Sequence, residues 1–173
     1  LAAGQGPRLD AVAGTVFGWL VADLRDGHTP LADRRAYLME DPDAGLNPTP
    51  ALMERALAGG DVAGVLAGLN PAHPDYAALR RELAATPMED SRRRNLIRAN
   101  MDRWRWLPAN LGAFHVCDNI PAYRMRVLKD GKVVHTESII VGKPSTPTPV
   151  FSADMKYVIF HPNWGVPDGI KMN

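Results

Sequence analysis

Near residue 110 the hydrophobic pattern changes its period, and this change restricts the chain more than any single residue does. From Leu9 to about Trp104 apolar residues return every three or four positions, as on helices with one buried face. In "LDAVAGTVFGWLVADL" the stripe Leu9, Val12, Val16, Leu20 and Leu24 predicts one such helix. From Phe114 the period falls to two. In "AFHVCDNIPAYRMRVL" Tyr123, Met125 and Val127 alternate with Arg124, Arg126 and Leu128, "KDG" supplies the Asp-Gly pair favoured in hairpin turns, and "KVVHTESIIVG" is the expected partner strand. "YVIF" is read as a further strand closing the meander. Helices first and antiparallel strands second make an α+β chain.

Local signals refine the helical half. Loops are expected at "DGHTPLADRR" and "EDPDAGLNPTP", and short helices at "PALMERALAGG", "DVAGVLAGL" and "PDYAALRRELAAT". Gly59 and Gly60 read as a C-cap, and Asp61 as the N-cap of the next helix. Ser91 is placed to cap a last helix carrying Leu96, Ile97 and Met101.

Composition removes several functions. A net charge of +1 leaves no cationic excess to neutralise a run of phosphates, so nucleic-acid binding is not expected, and the one dense basic run, "SRRRN", reads as a solvated helix face. No stretch of about 18 apolar residues exists to span a bilayer. A lone cysteine cannot form an internal disulfide.

The residues that bear chemistry do not assemble into a catalytic set. Cys117 lies mid-strand without a helix N-terminus or a cation adjacent in sequence, as a buried apolar thiol does. His28, His73, His115, His135 and His161 have no metal-ligand spacing. His28 and His73 read as exposed turn residues, His115 and His135 as strand residues able to face one another, and His161 as a loop residue able to line a cleft. Trp104 and Trp106 in "DRWRWLP" would anchor helices to sheet, and Trp164, held between prolines in "HPNWGVP", suits a core plug or a cleft wall. The proline-rich "VGKPSTPTPVFS" reads as an extended connector.

Four separated segments, "NMDRWRWLP", "NIPAYRMRVLKDGKVV", "IIVGKPSTPTPVFS" and "VIFHPNWGVP", together resemble the large periplasmic L,D-transpeptidases of Gram-negative bacteria, the YcbB-like branch with a YkuD-type catalytic domain. The likeness covers roughly residues 92 to 173, and the preceding helices are more loosely similar to the scaffold domain of that family. It implies a helical scaffold domain at 1–90, a linking helix at 91–110 and the N-terminal part of the catalytic domain at 111–173. It also implies cysteine acyl transfer between peptidoglycan stem peptides in the periplasm, without metal or organic cofactor, in the service of cell-wall organisation and cell shape.

Two departures accompany the resemblance. Only "AATPMEDSRRRN" stands where many members carry a peptidoglycan-binding domain, and the Ser-His-Gly-Cys type motif of the nucleophile occurs nowhere in the 173 residues. The family's Cys and its partner His are therefore expected beyond Asn173, in a missing C-terminal part, and Cys117 does not inherit the role. The chain itself would supply the first strands and one wall of the cleft, with Asn163 and Trp164 as the substrate-facing candidates. The alternative is a module that binds peptidoglycan or a partner without turnover.

Overall fold

The computed structural model describes residues 6–34, 36–38, 45–163, 165 and 168. Among these, α1 (Pro7–Asp26), α2 (Thr49–Gly59), α3 (Val62–Ala67), α4 (Pro74–Ala85) and α5 (Ser91–Trp104) precede β1 (Phe114–Asn119), β2 (Arg124–Lys129) and β3 (Lys132–Ser138). The α+β order expected from the change of period is the order found.

Helix α1 starts on Pro7, whose missing N–H costs nothing in a first turn. Its buried face is not the expected stripe. Phe17 and Val21 are buried, while Val12 is 55% and Val16 41% exposed. The two faces lie roughly 100° apart at 3.6 residues per turn. Both are apolar, so periodicity alone does not choose between them. The choice is made by α2, whose Met53 Cε lies 3.8 Å from where a Cβ on Gly14 would stand. Phe17 and Val21 then form the core with Leu52 and Ala56, ringed by Met53, Val65, Leu66 and Leu69.

Caps punctuate the remaining helices. Gly60 ends α2 at φ 62°, and the Asp61 carboxylate accepts from Gly64 N at 2.7 Å to open α3, as the sequence predicts. The cap of α5 is Asp90 rather than Ser91, with its carboxylate accepting from Arg93 N at 3.1 Å. Ser91 stands one position too late and is already helical. Helix α4 pairs with α5, each burying a large apolar side chain, Tyr76 and Ile97, whereas the expected Leu96 is exposed. The "SRRRN" run is only partly a solvated face. Arg93 pairs with Glu82, and Arg94 donates to the carbonyls of Leu83 and Thr86 at the end of α4.

The sheet runs β1-β2-β3, antiparallel throughout. Asp130 and Gly131 turn the β2–β3 hairpin at φ 49° and 73°, both positive as a type I′ turn requires. The alternation read over "AFHVCDNIPAYRMRVL" conceals a break. A 3-10 turn at Ile120–Ala122 divides it, with Asn119 Oδ1 accepting from Ala122 N and Pro121 offering no N–H to a ladder. A bulge follows: Val127 pairs with His135 but Leu128 with Val133. "YVIF" is outside any strand, with Tyr157, Val158, Ile159 and Phe160 all exposed. No described strand lies beside it to complete a ladder, and a strand without a partner has no hydrogen bonds to hold it. The proline-rich connector meets the helical half at a bridge between Tyr37 and Val150.

Candidate functional site

The sheet meets the helices through side chains that lie far apart along the chain. Cys117 and Arg126 face each other across β1 and β2. Arg126 also reaches α4, donating from Nη2 to Asp75 Oδ2 at 2.7 Å. Burial pushes the Cys117 thiol above its ordinary pKa, and the neighbouring Arg126 offsets this only in part. A thiol kept protonated is a poor nucleophile, so the reading of Cys117 as an inert, half-buried residue fits its surroundings.

Beside this cluster a cleft of about 400 Å³ opens between the helical half and the start of the sheet. Its walls come from the C-terminal end of α1, the α3–α4 connection, the end of α5, the segment 107–112 and His115 of β1. His73 is not the exposed turn residue that the sequence predicts. Instead its ring stacks on Trp104, centroids 4.3 Å apart and planes 21° from parallel. Its Nδ1 accepts from Asp75 N at 3.1 Å and so caps α4, a role usually taken by Ser, Thr, Asp or Asn. Burial lowers the His73 pKa, Asp75 opposes this, and Arg126 and His115 add to it. The neutral ring therefore carries its proton on Nε2.

His115 and His135 do not face one another. His115 pairs with Leu128 and His135 with Val127, so β2 separates them and they point to opposite faces. His115 Nδ1 bonds Gly112 O at 3.1 Å, and its Nε2 is buried without a partner. His135 is exposed, 4.0 Å from Glu137. His28 holds Asp23 at 3.2 Å on the surface, and His161 is exposed at φ 50°. No group of three or more His, Cys, Asp or Glu able to hold a metal occurs among the described residues.

The two tryptophans do anchor, but to the helical half. Trp104 takes His73, while Trp106 meets Tyr37 edge-on at 5.8 Å and carries the Arg34 guanidinium 4.8 Å from its ring. Tyr37 OH donates to Trp106 O. Behind them, Asp102 of α5 accepts from His28 N at 2.6 Å, Thr29 N at 3.2 Å and Thr29 Oγ1 at 2.6 Å. Burial alone would raise this carboxyl, but these hydrogen bonds and nearby Arg105 hold it below the ordinary value. Gly27 lets the chain pass: at φ 86° a Cβ would stand 2.8 Å from Asp102 Oδ1 and 2.9 Å from Trp106 Nε1. No sequence motif marks Asp102, because its partners are 73 and 74 positions away.

Of the residues singled out for substrate, Asn163 is exposed and Trp164 lies outside the described residues. No helix among the described residues is long and apolar enough to cross a membrane. A search of curated proteins found no match. Family models do match: that of a scaffold domain over residues 5–83, and that of the YkuD L,D-transpeptidase catalytic domain over residues 113–173. The helices up to α4 thus match a scaffold domain and the strands from β1 onward match the YkuD L,D-transpeptidase catalytic domain, one after the other along this chain.

Proposed function

We propose that this chain serves a peptidoglycan L,D-transpeptidase that forms cross-links between stem peptides of the cell wall in the periplasm. The observation that carries the reading is the succession of a scaffold match and a catalytic-domain match in one polypeptide. In the reaction a cysteine thiolate adds to the meso-diaminopimelate carbonyl of the amide that joins it to the terminal D-alanine of a donor tetrapeptide, and backbone amides hold the oxyanion. The tetrahedral adduct collapses to a thioester as D-alanine leaves with a proton from the partner His. An acceptor amine then attacks the thioester, the thiolate departs, and the new amide is the cross-link.

We assign the nucleophile to a Cys, and its proton-transfer partner to a His, downstream of Asn173. The sequence contains no His-Gly-Cys, and the surroundings of Cys117 raise rather than lower its pKa. Residues 1–90 would then be scaffold, 91–110 the linking helix and 111–173 the N-terminal part of the catalytic domain, with Asn163 and Trp164 on the substrate side. The same high-pKa thiol favours one other reading, a module that binds peptidoglycan without turnover.

The test is D-alanine release from a tetrapeptide donor, measured on the gene's full product and on its Cys117→Ala variant. Activity in both supports transfer by a downstream cysteine. Loss on replacing Cys117, with folding intact, would refute the assignment, and inactivity of the full product with retained binding to sacculi would select the binding module.

A further inference from the structure

We infer that the cleft between the α3–α4 connection and β1 is a binding site for a short peptide ending in a free carboxylate. The ionisable residues on its walls are Arg25, His73, Arg105 and His115, with no Asp or Glu among them. Arg25 is committed to Asp26 through two hydrogen bonds of 2.6 and 2.7 Å. Arg105 is differently placed. One Nη donates to Tyr76 OH at 2.9 Å, itself fixed by Asn70 Oδ1 at 2.8 Å, and Nε is buried without a partner. The guanidinium is thus oriented by a fully buried tyrosine while part of its donor capacity is unspent.

Two more donors border the same space. His73, neutral and accepting at Nδ1, carries its proton on Nε2. Asn110 accepts from Gly112 N at 2.8 Å through Oδ1, which leaves its Nδ2 as a donor. A cleft with a cation and neutral donors but no carboxylate of its own selects an anionic acceptor, and the planar guanidinium suits a carboxylate. Asp75 and Asp102 lie behind His73 and Arg105, outside the walls, and temper the field without occupying the cleft. Apart from Asn47 and Asn70 the remainder of the lining is largely apolar, with Leu69, Leu107, Leu111 and the His73–Trp104 stack, and accommodates aliphatic side chains. A volume of about 400 Å³ is on the scale of small-ligand pockets.

This assignment does not rest on the transpeptidase reading, and its probe contains no peptidoglycan component. The whole chain is titrated with N-acetyl-Ala-Leu-Ala as the free acid and as the C-terminal amide, following the Trp104 indole and His73 ring signals by NMR. The acid should move both signals saturably and bind about tenfold tighter than the amide, the scale of a lost charge-assisted hydrogen-bond pair. Asn110→Ala, at an exposed position in a loop, should weaken the acid about threefold and leave the amide unchanged, and Arg105→Gln should abolish the preference for the acid. Equal affinity of acid and amide, absence of saturation, or an unchanged preference in both variants would overturn the site. D-Alanine release is a separate measurement, so failure here leaves the proposed reaction standing.

Discussion

The helical half and the sheet are stabilised in different ways. The helices bury apolar side chains in two groups, Val21, Leu52 and Ala56 between α1 and α2 and Tyr76 between α4 and α5, all essentially sealed from water. In the sheet Leu128 is the one buried hydrophobic residue among those described, and every residue of β3 is exposed. The strands are held by their backbone ladder, by Leu128, and by side chains that reach into the helical half. The difference teaches that the sheet borrows its order from the helices, while the helices need the sheet much less.

The strongest way to break this comparison is to empty the helical core. Leu52→Ala should cost about 3 kcal/mol, as for other buried leucines, and loosen both halves together in denaturation followed by hydrogen exchange. Sheet amides that stay protected while helix amides exchange would contradict the dependence. Asp102→Ala should follow at about 2 kcal/mol, because it strands the partly buried donors of His28 and Thr29. Asp102→Asn, which retains an acceptor, should cost visibly less in the same urea titration.

A smaller effect sharpens the comparison from the other side. Arg126→Ala removes the β2–α4 ion pair at 2.7 Å and, the pair being partly exposed, should cost about 1 kcal/mol. The sheet amides should lose protection first, with α1 and α2 unaffected. The exposed Arg93–Glu82 pair, cut by Glu82→Gln, should change stability by only about 0.3 kcal/mol.

Acid should act in succession at two places, both in the helical half. The folded pKa of His73 lies below its ordinary 6.5, so its contribution is full above that value and falls as pH drops through the folded pKa. Asp102 follows the same sign from an ordinary 3.8: its contribution is present above that value and lost as pH falls below the lowered folded value. Melting temperature against pH should therefore decline in two stages, and Asp102→Asn should remove the lower one.

Much of the architecture was readable because it depends on neighbours in sequence. The change of period, the Asp61 cap, the Gly60 stop and the Asp130–Gly131 turn are all local. The misreadings are of two kinds. Where α1 offered two apolar faces, only the position of α2 could choose Phe17 and Val21, and where Pro121 interrupted an alternating stretch, the alternation hid the break. The cleft residues form the second kind. His73 meets Trp104 across 31 positions and Arg126 meets Asp75 across 51, pairings that no single-residue pattern announces. A loop histidine directly before a helix-opening Pro-Asp was the one signal for His73 as a cap.

The carboxylate of Asp102 also imposes an order of events on synthesis. It fastens the turn after α1, yet it is made 74 residues later than the backbone N–H of His28 that it receives. On the ribosome, α1 can coil as soon as it emerges, but the direction in which the chain leaves it stays unfixed until α5 follows. For that interval, several seconds at about 5–20 residues per second, Gly27 is an unclamped joint, and the nascent helix is free to search for α2 before its exit is tied.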